Sequence, residues 1–191
     1  MKSKIVISLS FSALIMIACQ VYHIQEDEFR NNRIVIYKHD STVKERKLAR
    51  RTANITYQRI INKEDEKLRI YFVLNGSANS FNIEKTSYIK VGNKAFEVDI
   101  SELNVNYRTS TSSVSTTTIV TDSTKTSSSN RVETKTNEWL SNKFVIETPK
   151  DIITTIKNAD QLLFRFYFGA EPATFILTGK QLKRLREMFS K

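Results

Sequence analysis

The chain has 191 residues, with 30 Lys+Arg against 20 Asp+Glu, a formal charge of +10 and 40% hydrophobic residues. That length suits one domain with a substantial core, and 4 Gly with 2 Pro exclude collagen-like and Pro-rich linker classes. The single Cys excludes an internal disulfide, and with only 2 His beside it the chain lacks a Cys/His zinc constellation.

At the amino terminus, Lys2 and Lys4 precede an apolar run from Ile5 to Ile17, followed by Ala18 and Cys19. A charged start, an apolar stretch of about 13 residues and a small residue at the cut form a secretory signal over 1–18. A spanning helix needs roughly 20 apolar residues, so this run is too short for one. Met16-Ile17-Ala18-Cys19 resembles the lipobox of bacterial lipoprotein precursors, with Met where Leu is usual. In that class the cysteine sulfur, a good nucleophile, receives a diacylglyceryl group, and the chain is cut just before it. The resemblance implies lipidation at Cys19, with covalent lipid such as palmitate and no other cofactor. It also implies permanent membrane attachment, since two acyl chains hold where one binds only marginally. Gln20, rather than Asp, resembles the outer-membrane sorting pattern of enteric lipoproteins, implying a place in the bacterial cell envelope, at the outer membrane. Removing the signal takes two lysines and no acid, so the mature chain stays basic. Such a balance attracts anionic glycans or lipid heads, although a Lys-rich codon bias gives the same excess.

Residues 19–32 are polar, carry His23 and the acidic run Glu26-Asp27-Glu28, and read as a lipid-anchored tether. Extended, it would hold the body about 40 Å from the bilayer. Residues 33–191 read as a single β-rich domain. Arg33–Tyr37 is a first strand, and the basic stretch Lys44–Arg51 is a short helix or a loop. From Asn54 the period is two. Lys67–Leu74 is the strongest strand, closed by the turn pair Asn75-Gly76. Ser87–Val91 and Lys94–Ile100 flank Gly92-Asn93 as a hairpin. Its second arm sets Phe96, Val98 and Ile100 against Glu97 and Asp99, one face buried and one wet, as in an antiparallel sheet.

Residues 108–130 are a Ser/Thr-rich insertion, either two solvated strands with a tip or an irregular excursion. It has too little apolar surface to fix a register. Ser/Thr tracts can be O-glycosylated. Asp40-Ser41-Thr42 and Asp122-Ser123-Thr124 are similar to the acceptor pattern of general O-glycosylation in some Gram-negative bacteria, which makes Ser41 and Ser123 candidates. Strands resume with Trp139, Leu140, Phe144, Val145 and Ile146. Thr148-Pro149-Lys150-Asp151 then predicts a helix with Thr148 as N-cap, Pro149 first and an acid three after the cap. Its apolar stripe is Ile152, Ile153 and Ile156. Gln161–Phe168 reads as a central strand with bulk on both faces, returning through Ala173–Leu177. Thr178–Gln181 is a second capping box, opening a helix whose Leu182, Leu185, Met188 and Phe189 share one face and Lys180, Lys183, Arg184 and Arg186 the other. Such a helix closes a sheet with its apolar side, or lies on a membrane. The expected fold is mainly β, an antiparallel β-sandwich-like domain with two short helices near the C-terminus, the last packing on the sheet. Roughly the last forty residues resemble small, functionally uncharacterised β-sandwich lipoproteins of Gram-negative bacteria, which implies a fold and no activity.

No catalytic motif stands out. His39-Asp40-Ser41 sets triad residue types side by side, but triads are assembled in space from separate segments. The acidic run Glu64-Asp65-Glu66 lacks calcium-loop spacing and reads as a solvated hairpin tip. Arg46, Lys47, Arg50 and Arg51 share one face if helical, a candidate polyanion grip. The expectation is a membrane-anchored, non-enzymatic binding module whose partners are envelope proteins or anionic glycans, with nucleic acid not expected. The alternative is an accessory structural subunit of an outer-membrane or periplasmic envelope complex.

Overall fold

The computed structural model describes residues 21–27, 31–44, 52–63, 65–77, 81–122, 125–177 and 179–191, and of 118–122 and 125–130 the backbone alone. In chain order the elements are β1 (Tyr22–Asp27), β2 (Asn32–Thr42), β3 (Thr52–Ile61), β4 (Glu66–Ser77), β5 (Thr86–Val91), β6 (Lys94–Asp99), β7 (Ser101–Asp122), β8 (Lys125–Thr148), α1 (Lys150–Lys157), β9 (Leu162–Phe168), β10 (Glu171–Leu177) and α2 (Gly179–Met188). The strands form a six-stranded sheet ordered β1-β2-β3-β4-β8-β7 and a four-stranded sheet ordered β10-β9-β5-β6. Both are antiparallel and curl into a half-barrel, a sandwich-like arrangement with the two helices near the C-terminus.

Alternation decides which side chains meet between the sheets. Ile55, Tyr57, Ile70, Phe72, Phe144 and Ile146 face inward from the first sheet, and Leu162, Phe164, Phe166 and Phe175 from the second. Phe72 stacks on Phe144 at 5.1 Å, and its ring meets Phe164 at 5.1 Å and Phe166 at 4.9 Å edge-on. Each such pair adds about 0.5–1.5 kcal/mol beyond the area it buries. Ile152, Ile153 and Ile156 of α1, and Leu182, Leu185 and Met188 of α2, bury their stripes in the same core. The β5–β6 hairpin turns at Gly92-Asn93 with Gly92 at φ 57°, as the alternation predicts. Gly169 turns β9 into β10 at φ 59°, where a Cβ would stand 3.2 Å from the Phe81 ring. Pro172 is tolerated because β10 is an edge strand. β9 lies between β10 and β5, but only one of its faces is fully buried: Leu163, Arg165 and Tyr167 are partly or wholly exposed.

Four expectations are corrected. Tyr22–Asp27 is not tether but the outermost strand of the first sheet, in register with Asn32–Tyr37. The otherwise open edge of β2 needs backbone partners, and the Tyr22 ring leans against that of Tyr37 at 5.9 Å, tilted by 51°. Asn75-Gly76 does not turn: β4 runs through it, and Gly76 pairs with Leu140 of β8. The first helix begins one residue late. Pro149 takes the cap position, its carbonyl accepting from Ile152 and Ile153, while Thr148 ends β8 with a buried, unpartnered hydroxyl. Residues 108–130 take the first of their two expected forms, a pair of solvated strands, but do not stand apart as an insertion, because they continue β7 and β8, which both belong to the sheet. Thr178 lies outside the described residues.

Candidate functional site

Cys19, the basic cluster Arg46, Lys47, Arg50 and Arg51, and Ser123 all lie outside the described residues. Ser41 is described and buried at 9% exposure, opposite Ala53 in the β2–β3 pairing. Its side points to the core, so the folded strand does not offer that hydroxyl for glycosylation. Period-two geometry also separates the adjacent triad types, with His39 and Ser41 on the inner side of β2 and Asp40 on the outer side. Asp40 accepts from the Asn54 side chain. His39 stacks on Tyr57 at 5.6 Å, with Nε2 3.3 Å from the Tyr57 hydroxyl and Nδ1 3.2 Å from the Asp40 carbonyl. Burial pulls its pKa below the usual value, although Asp40 acts in the other direction. His23 sits on exposed β1 beside Gln25.

The densest polar cluster joins the β3–β4 turn to both helices. Arg59 Nε donates to Glu66 Oε1 at 2.7 Å and its Nη1 to the Met188 carbonyl at 3.0 Å. Lys157 Nζ reaches Glu66 Oε2 at 2.9 Å, and Lys150 Nζ reaches Asp65 Oδ1 at 2.6 Å. Arg59 and Lys157 both lie over the Phe189 ring, at 5.6 and 5.2 Å. Burial pushes the Glu66 carboxyl up, but the bonds from Lys157 and Arg59 outweigh it and hold the group below its ordinary range. The Lys150 hydrogen bond does the same for Asp65. The expected solvated acidic tip is thus a stitched corner at these two residues; Glu64 is outside the described residues. A shallow cleft of about 330 Å³ lies here, lined by Ile61, Glu66, Ile153 and Lys157 among others. Its charges are already paired with one another, so the cluster is built for docking helices rather than for binding.

On the outer face, Arg69 gathers Glu102 at 2.6 Å, Glu147 at 3.2 Å and the Tyr71 hydroxyl at 3.0 Å. Glu102 stands at φ 53° in the bulge between Ser101 and Asn104, where the chain passes from the second sheet into the first. That bulge aims β7 along β8. Past the Ser77–Trp139 pair the two strands are paired, among the described residues, only with each other, so they leave the body as a ribbon. At a strand's rise the ribbon extends roughly 45 Å. Val114 and Val132 are each more than half exposed on it, and Tyr107 is as exposed just before it, where β8 is still paired to Gly76. Sequence reading located this stretch by its Ser and Thr content but left its form open, because nothing local fixes its register.

Among the described residues no group of His, Cys, Asp and Glu is placed to hold a metal ion, and no described helix is long and apolar enough to cross a membrane. No known family profile matches the chain, and neither does any curated protein or solved structure.

Proposed function

We propose that the chain is a lipid-anchored, non-enzymatic module of the bacterial envelope that engages a partner, an envelope protein or an anionic glycan, through the β7–β8 ribbon. The observation that carries this reading is a pair of strands extended well past the last residue that pairs them to the body, with apolar side chains left in solvent. A core does not require such an extension, and exposed apolar groups gathered on one projecting element suit contact with another molecule. Neighbouring strands turn by about 20–25°. Three steps from β2 to β8 therefore direct the ribbon sideways from the end of the sheet where an acylated Cys19 would sit. The accessory-subunit reading is favoured by a different feature, the place of β7 as an outer strand of its sheet, which offers backbone groups for strand addition.

The test uses intact cells producing the full chain with a photoreactive residue at Val114 or, as control, at Lys90 of β5. Discrete adducts at Val114 that need an acylated Cys19 are the expected result, and a Cys19→Ser form should lose both palmitate label and adduct. Adducts at Val114 no more abundant than at Lys90 would overturn the ribbon's role. An adduct whose partner is a component of a stable envelope assembly would favour the subunit reading.

A further inference from the structure

The start of β1 is pinned to the middle of α2. Tyr22 donates its hydroxyl to the Arg184 carbonyl at 2.7 Å, is 3.0 Å from Glu187 Oε2, and Val21 packs against the core. Burial, then Glu187, pushes the Tyr22 hydroxyl up to about 12, so it remains a donor. Tyr22 faces Tyr37 and the strands are antiparallel, so the chain before Tyr22 heads toward the Thr42 end of β2. There Gln181 of α2 donates to the Asp40 carbonyl at 3.1 Å. Cys19 precedes Val21 by two residues, which confines its Cα to within about 7 Å of Val21. Acyl chains on that sulfur would therefore bring α2 itself to the bilayer surface.

What α2 presents there is basic. Its apolar stripe is turned into the core, leaving Lys180, Lys183 and the terminal Lys191 exposed, flanked by Arg184 and Arg186. Two exposed acids border this face, Glu187 at 4.0 Å from Lys183 and Asp160 at 3.9 Å from Arg186, and each offsets part of its neighbour's charge, while Asp40 is held by Asn54. Among the described residues no ion pair holds Lys180 or Lys191. Glu26 and Asp27 lie roughly 17 Å along β1 from Tyr22, toward the end where Met188 meets Arg59, so the Lys180 and Lys183 end of α2 is the one away from these acids.

We propose that the exposed basic face of α2 docks on anionic phospholipid headgroups beside the lipid anchor and fixes the orientation of the body on the membrane. The proposal rests on acylation of Cys19. The anchor makes docking intramolecular, so a few charges suffice. Near an anionic surface each basic residue is worth about fivefold in association.

The lipidated protein purified from membranes is the test material, and the mass of its N-terminal peptide reports separately whether Cys19 is acylated. Since the chain has 1 Cys, Ser190→Cys or Asn93→Cys then supplies the sole free thiol for a fluorophore. The labelled proteins are placed in vesicles of neutral phosphatidylcholine, with or without phosphatidylglycerol, carrying a headgroup quencher. Quenching at position 190 that needs phosphatidylglycerol and vanishes in 1 M salt, with none at position 93, is the expected result. Lys180→Gln, Lys183→Gln and Lys191→Gln together should lower the docked-to-undocked ratio about a hundredfold. Equal quenching in neutral and anionic vesicles, or no change in the triple variant, overturns the docking face while leaving the anchor intact. An N-terminal peptide without acyl chains overturns the anchor, and the docking proposal with it.

Discussion

His39 is the one described imidazole held in the sandwich's inner row, stacked on Tyr57 and tilted against Tyr37, 5.6 Å from each of two rings that themselves stack at 5.7 Å. Burial lowers its pKa from the ordinary value near 6.5, so the unfolded chain takes up a proton before the folded one does. The unfolded state then binds more protons, and stability falls as pH drops below about 6.5 and continues to fall until the folded pKa is passed. Glu66 acts lower on the scale. Its depressed pKa contributes stability that is full above its ordinary value near 4.5 and lost as pH falls through the folded one. The His39 decline therefore begins higher on the pH scale than the Glu66 one. Denaturant titrations across pH should show a decline beginning near 6.5, no steeper than one proton allows, that disappears in His39→Gln while the acid loss below about 4.5 remains. An unchanged upper decline in His39→Gln would assign it to another group.

Elements dock here through a small number of charged side chains as well as through apolar stripes. Arg59 lies on β3 at 9% exposure, bonds Glu66 of β4, caps the Met188 carbonyl and covers the Phe189 ring at the end of α2. Replacing it with Met keeps the stem's packing but leaves Glu66 to Lys157 alone and the Met188 carbonyl to the Lys191 N–H at 3.3 Å. A loss of about 2–4 kcal/mol follows. Hydrogen exchange should quicken at Phe189 and Ser190 more than in the β5–β6 hairpin. Lys67→Met removes only an exposed contact with Asp65 at 3.9 Å, and the unfolding midpoint should stay in place. None of this corner could be read from sequence, since Arg59, Glu66 and Lys157 are brought together by tertiary docking. What was legible had local causes: Gly92-Asn93 between alternating arms, the isoleucine stripe of α1, and the Leu182, Leu185 and Met188 face of α2. Gly76 carries turn chemistry and still continues a strand, because pairing with Leu140 of β8 overrides local preference. β1 is a polar edge strand whose signal belongs to its neighbour's open edge. The candidate anchor at Cys19 was legible only as a motif, and its residues lie outside those described.

At the scale of the whole molecule, the body and the ribbon divide the work of stability and contact. The ring contacts of Phe72, Phe144, Phe164 and Phe166 all lie before Ser77 or after Trp139, and past that pair β7 and β8 are paired, among the described residues, only with each other. Ser112 pairs with Lys135, so residues 113–134 can be replaced by an Asn-Gly turn that closes the shortened hairpin in register. The bulge at Glu102, its bond to Arg69 and the Tyr107–Leu140 pair all survive the cut. Two small effects oppose each other. The ribbon's own backbone bonds are lost together with the chain that made them, while a shorter connection lowers the entropy cost of closing β7 onto β8. The net change should stay within about 1 kcal/mol, a midpoint shift of less than about 4 °C for a domain of this size. The same variant should reach the membrane and dock α2 as before, yet give no adduct with a photoreactive residue moved to Ser110. A midpoint falling by more than about 10 °C would mean that the ribbon packs against the body and contributes to its core, which would remove the reason for assigning contact to it.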